Sequence, residues 1–282
     1  MKCCLVALAS LIACASLSAS AGEDQGDPQA LSFAIVPQQS ASKLARLWAP
    51  ILEYLGRESG LNLEFRTAPD IPEFEARLTA GEDDIAYMNP LHYTVFSETT
   101  GYRAFAKERD KRIKGILVVR NDSPVQSPRE LDGATLAFPA PGAFAASVLT
   151  RAYLVGEGIR FTPRYVSSHD SVYRTVAKGL YPAGGGVVRT LSSTEPDIRE
   201  QLRVLWTTRG YTPHAFAVHP RVPSDAVERL AQAMVGMDAD EAGRALLARL
   251  SVTGFETAKD SDWDDVRSLG IQSLEDPVPA PR

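Results

Sequence analysis

The side chains best suited to hold a charged group sit in five short loops, each following a hydrophobic run. "SSHDS" (167–171) offers hydroxyls at Ser168 and Ser171 and an imidazole at His169, with Asp170 placed to cap backbone N–H groups or to orient the histidine. "FPAPGAFAAS" (138–147) reads as a strand turning at Gly142 into a helix. Its donors to an anion would be the backbone N–H groups of Ala143, Phe144 and Ala145, with Ser147 as the first hydroxyl. The same residues also fit a packed corner in which Phe144 and the alanines only seat the helix on a sheet. "PQQSAS" brings Gln38 and Gln39, and "YMNPLHY" brings Tyr87, Asn89 and Tyr93, neutral donors suited to oxygen atoms. The triple glycine centred on Gly185 permits close backbone approach or a left-handed turn. A hydrogen bond to a charged acceptor contributes about 1.5–3 kcal/mol and a micromolar ligand needs about 8 kcal/mol, so several loops have to converge.

The chemistry expected of these residues is binding without catalysis. His169, Asp170 and Ser171 are contiguous, so their side chains diverge and cannot form a nucleophile–base–acid relay. The chain carries no G-x-S-x-G elbow or Walker loop, and His214 and His219 lack the spacing of a helical ligand pair. No metal or cofactor is expected. "RDKRIK" (109–114) reads as a solvated turn or a docking contact.

The elements that must position these loops alternate along the chain. "LSFAIVP" reads as a strand, and Leu44, Leu47, Trp48, Ile51, Leu52 and Leu55 then fall on one helical face. "LNLEFRT", "IPEFEARLTAG" and "DIAYMNP" continue as strand, helix and strand, a βαβαβ order that implies a parallel sheet. A second series follows. "GILVVRNDSP" and "ATLAFPA" are strands, 143–155 a helix, "RYVSS" a strand and "HDSVYRTVAKG" a helix, with further strand signal in "GGGVVRTL" and "LRVLWTT". Helices open at Pro223-Ser224 and over 240–250. The expectation is an α/β chain of two lobes, with ligands beyond the carboxyl ends of the strands.

Composition agrees. With 44% hydrophobic and 23% charged residues, 282 residues can bury a sizeable core. A net charge of −5 gives no basis for a nucleic-acid partner. Residues 1–21 fit a secretory signal peptide with cleavage after Ala21, while Leu11-Ile12-Ala13-Cys14 offers a competing lipoprotein exit at Cys14. All three cysteines lie in that leader, so the mature chain would fold without disulfides.

Five stretches in this order, "DDIAYMNPLHY", "LDGATLAFPAPGAFAAS", "SSHDSVYRTVAKG", "AGGGVVRTL" and "PHAFAVHPRVP", resemble the periplasmic substrate-binding proteins of the phosphate/phosphite/phosphonate (PhnD-like) ABC transporter family. The resemblance implies a two-lobed periplasmic binding protein of type II, each lobe a mainly parallel sheet flanked by helices, with the ligand cleft at the hinge. It implies residues 22–112 as the first part of lobe 1, 113–212 as lobe 2, and 213–282 as a mainly helical segment returning to lobe 1. It implies a monomer that captures a small-molecule anion and delivers it to an inner-membrane ABC permease, or reports it to a membrane sensor. Relatives that bind phosphonates resemble a Ser-Thr-Ser sequence where this chain has Ala143, Phe144 and Ala145, and His169 matches their anion-contacting histidine. The acidic residues that receive a substrate ammonium group in such relatives have no counterpart in "AGGGVV", which points to a plain or apolar-substituted oxyanion.

Overall fold

The computed structural model describes residues 30–271 and Leu274. Residues 1–21, expected from the sequence to be a signal peptide, and the three cysteines among them lie outside the described residues.

The first α/β series forms as patterned. β1 (Leu31–Ile35) pairs in parallel with β2 (Leu63–Thr67) and β3 (Ile85–Met88). Helix α1 (Ala41–Ser59) buries Leu44, Trp48, Ile51, Leu52 and Leu55 on the sheet and ends at Gly60, whose φ of 69° suits only a residue without Cβ strain. Pro50 inside α1 has no N–H for the Arg46 carbonyl, and the Arg249 guanidinium donates to that oxygen instead, at 2.9 Å. Helix α2 (Ile71–Ala80) is capped by Asp70, which accepts from Glu73 N, and α3 (Pro90–Thr99) by Asn89, which accepts from His92 N.

β4 (Arg103–Glu108) completes the series but lies two places away from β3, because β10 (Ala215–Val218) inserts antiparallel between them and β11 (Phe255–Thr257) closes the edge. The first sheet thus runs β11-β4-β10-β3-β1-β2. The second contains β5 (Gly115–Arg120), β6 (Ala134–Phe138), β7 (Phe161–Tyr165), β8 (Gly184–Val187) and β9 (Leu202–Thr207), ordered β7-β6-β8-β5-β9. β6 is parallel to β7 and β8, whereas β5 is antiparallel to β8 and β9. Both sheets are more mixed than the alternation implied, since β10 and β11 in the first sheet and β5 in the second run against the parallel core. Those connections, 109–114 and 208–214, are tied to each other by a bridge between Ile113 and Tyr211.

Two local expectations change. The helix expected over 143–155 begins as a π-helix (Phe144–Leu149), in which Val148 N reaches back five residues to Ala143 O, and only then becomes α4 (Thr150–Gly156). The strand expected through "GGGVVRTL" stops at Val187, and Val188–Ser192 forms a short helix, α5. The Thr190 hydroxyl donates to Val187 O and so closes that turn.

Glycine fixes where the wide turn sits. A Cβ on Gly115 would lie 2.0 Å from Ala145 O, and one on Gly185 would lie 1.9 Å from Ala146 O. The corner therefore rests on β5 and β8 through backbone-to-backbone contact. Gly185→Ala is expected to destabilise the fold by about 1–3 kcal/mol through overpacking. Gly156, with nothing within 4 Å of its would-be Cβ, should accept alanine within about 0.5 kcal/mol. Urea unfolding of the two variants checks this, and equal midpoints would refute the glycine account.

Candidate functional site

The corner faces a small cavity between the two sheets. Gln38 after β1, Asn89 after β3, Ala143 to Ala146, His169 and His214 all line it, with Ile113 and Val187 as apolar walls. Its volume is about 10 Å³, room for one water molecule. Phe144 is buried and meets Tyr211 of the second connection edge to face, with ring centroids 5.6 Å apart.

The donors are mostly backbone. Ala143 N, expected as a donor, is instead taken by Ala140 O at 3.3 Å, whereas among the described residues the N–H groups of Phe144, Ala145 and Ala146 have no hydrogen-bond partner, and the next N–H to find one is Ser147 N, on Ala143 O at 2.7 Å. Three amides at a helix start with no side-chain cap form an anion-binding geometry. The corner is fixed from the other side by Asn89, whose amide donates to Gly142 O at 3.0 Å while its carbonyl caps α3.

Both histidines at the cavity are neutral. His169 Nδ1 lies 3.1 Å from Thr190 Oγ1, and burial pushes its pKa down to about 3. His214 stacks on Tyr87 with centroids 4.9 Å apart and accepts from the Gln38 amide nitrogen at 2.9 Å. Burial holds it well below the usual histidine range, and the nearby Arg189 charge adds to the effect.

Direct contacts also join the lobes. Arg189 of α5 donates to Glu108 Oε2 at the end of β4 and to Tyr87 Oη at the end of β3, both at 2.9 Å. Gln39 donates to Ser193 Oγ at 2.8 Å, and His169 N donates to Gln38 O at 3.1 Å. Lys43 of α1 donates to Ser193 O and pairs with Asp170 at 3.8 Å. Burial raises the Asp170 carboxyl above the usual range, against the opposing pull of Lys43.

The structure gathers some of the expected residues and separates others. Gln38, Asn89, Ala143, Phe144, Ala145 and His169 meet at the cavity. Gln39 and Tyr87 lie beside α1, next to Trp48. Gly142 backs onto Glu75 and His92, and Gly185 backs onto Ala146 O and Phe138. Ser147 is fully buried with no partner for its hydroxyl among the described residues. Ser168 and Ser171 bond to each other at the start of a helix. Ser168 caps the helix His169–Ala177 by accepting from Ser171 N, and its hydroxyl donates to Ser171 Oγ. Asp170 turns to Lys43, so it does not orient His169. Tyr93 donates to Asp260, far from the loops it was grouped with. Arg189, Val187 and Ile113 are additions, and only the unusual cation directly after "GGGVV" signalled the first of them.

Two α/β lobes joined by paired connections, with a donor-lined cavity where they meet, define a periplasmic binding protein of type II. The family model described as the periplasmic substrate-binding protein of a phosphonate ABC transporter matches residues 33–263, and the chain belongs to that family. It is 22% identical to the phosphate-import protein PhnD of Mycolicibacterium smegmatis, across 93% of this chain and 94% of that one. Its fold is similar to that of PhnD1 from Prochlorococcus marinus in complex with methylphosphonate, with a TM-score of 0.78, 15% identity, and coverage of 86% of this chain and 98% of that one. A Xanthomonas citri protein bound to ATP is also similar, with a TM-score of 0.67, 20% identity, and coverage of 89% and 99%. The family is periplasmic by description.

The neutral histidines set a pH dependence. In the unfolded chain each takes up a proton near its ordinary pKa of 6.5, while folded His169 resists protonation down to about 3. Their contribution is therefore fully present above that ordinary value and is lost as pH falls below it, with a limiting slope of about 1.4 kcal/mol per pH unit for each group. Asp83 and Asp170, raised by burial, act with the opposite sign. The melting temperature should fall between about pH 7.5 and 5.5, and His169→Gln should flatten the decline. A flat wild-type profile would contradict this reading.

Proposed function

We propose that this protein captures a small phosphorus oxyanion of the phosphate, phosphite or phosphonate type between its lobes and delivers it to an inner-membrane ABC permease. The observation that carries this reading is the convergence of the unpaired N–H groups of Phe144, Ala145 and Ala146 with Gln38, Asn89 and His169 at one cavity. Four charge-assisted bonds at about 1.5–3 kcal/mol each reach the roughly 8 kcal/mol of a micromolar complex.

The cavity of about 10 Å³ corresponds to the lobes in contact. Entry of a tetrahedral anion then requires the lobes to part about 109–114 and 208–214, with the described residues of 22–112 and 213–282 moving as one body and 113–212 as the other. Placing an anion beside neutral His169 favours its protonated form, so the histidine adds charge only when the ligand is present. Export of the chain as a monomer with cleavage after Ala21 completes the reading, as does a role in capture rather than catalysis.

A thermal-shift panel of phosphate, phosphite, methylphosphonate and 2-aminoethylphosphonate tests it. A true ligand at 100 times its dissociation constant should stabilise the protein by about 2.7 kcal/mol, and 2-aminoethylphosphonate should be the weakest phosphonate. His169→Ala should cost about tenfold or more in affinity for the best ligand. If no oxyanion in the panel raises the melting temperature, the assignment fails.

A further inference from the structure

Beyond His214, Gln38 and Val187 the small cavity adjoins a second one of about 380 Å³, which shares those residues and Ile113 as walls. This outer cavity lies at the first connection, and the "RDKRIK" stretch supplies Lys111, Arg112 and Lys114 to its lining. Arg189 is a fourth cation there, and Glu108 is the single carboxylate. Such an excess of positive charge stands out in a chain of net charge −5.

Those cations differ in how far they are committed. Arg189 is neutralised by Glu108 at 2.9 Å, and Arg112 is held by Asp265 at 2.6 Å. Lys111 reaches Glu108 only at 3.7 Å and shares that one carboxylate with Arg189, and Lys114 is without an ion-pair partner among the described residues. Opposite them the wall is apolar, formed by Val187, Pro213 and Val188, which is half exposed. Apolar walls with a few convergent charges suit a short organic chain bearing an anionic end, and the volume lies at the small end of organic ligand sites. A cationic chain end would meet like charge.

We propose that the outer cavity binds the second anionic group of a dianionic organic phosphonate, such as a carboxyalkylphosphonate, with Lys111 and Lys114 as its counter-charges and Val187 and Val188 against its carbon chain. This rests on the oxyanion reading for the phosphorus head, and it makes the chamber a specificity element distinct from the corner amides.

Calorimetric titration at low ionic strength with methylphosphonate, propylphosphonate, 3-phosphonopropionate and 2-aminoethylphosphonate separates the two readings. 3-Phosphonopropionate should bind about tenfold or more tightly than propylphosphonate, whose chain is similar but uncharged, and 2-aminoethylphosphonate more weakly than either. The advantage should shrink with added salt and fall below about threefold in the Lys111→Gln/Lys114→Gln variant. Both lysines are exposed, so the substitutions leave the core untouched. Equal affinity for the carboxylate and propyl ligands, or an advantage that survives the double substitution, overturns the inference while leaving the oxyanion reading intact. If none of the four phosphonates binds while phosphate or phosphite does, this inference fails and the oxyanion reading stands.

Discussion

The close seating of the 143–147 corner on two glycines is the constraint from which the rest of the site follows. Ala145 O and Ala146 O occupy the space that a Cβ would fill on Gly115 and Gly185. With those carbonyls seated on the sheet, Ala143 to Ala146 line the cavity and the N–H groups of Phe144, Ala145 and Ala146 stay without partners among the described residues. The π-helical width of the turn and the tether from Asn89 to Gly142 O serve the same placement. Because these contacts are backbone to backbone, the anion-binding geometry does not depend on which side chains the corner carries.

That independence explains how the corner can present Ala143, Phe144 and Ala145. On the proposed reading recognition is left to the amides and the side chains are free to pack, as Phe144 does against Tyr211 within the core cluster of the first lobe. The packed-corner and anion-corner readings of "FPAPGAFAAS" are therefore compatible. One face of the turn is core and the other is donor.

Much of the fold was legible because hydrophobic periodicity is local. The face of α1, the glycine stop at Gly60 and the alternating strands all follow from it. Insertion of β10 between β3 and β4 was not legible, since strand order is decided by contacts over a hundred residues apart. At the site, Asn89 and His169 followed from loops after strands, but a hydroxyl's destination does not. Ser168 and Ser171 are donors by type, and the nearest orphan amide belonged to their own helix. The triple glycine reads as close backbone approach or a left-handed turn; none of the three has a positive φ, and the close approach is to Ala146 O at Gly185 and to Tyr173 at Gly186, partners that a sequence cannot name without knowing what lies across the strand.

A site whose anion corner is built from backbone has little means of telling one phosphorus oxyanion from another at that corner, because every tetrahedral anion offers similar oxygens to the same amides. Discrimination has to come from groups that meet the rest of the ligand. In this chain those groups are Gln38 and His214 at the inner wall and the charges gathered around Arg189 on the outer side. Arg189 spans both roles. Its guanidinium ties the second lobe to Glu108 and Tyr87 of the first, so a residue that lines the outer chamber also helps to hold the lobes together. Any ligand group that draws Glu108 or Arg189 away from the other acts on lobe closure, and any that leaves their pair intact binds to a cleft already closed by the protein itself. On the proposed reading, selectivity and closure are thus coupled through one half-buried ion pair rather than through the corner assigned to the phosphorus head.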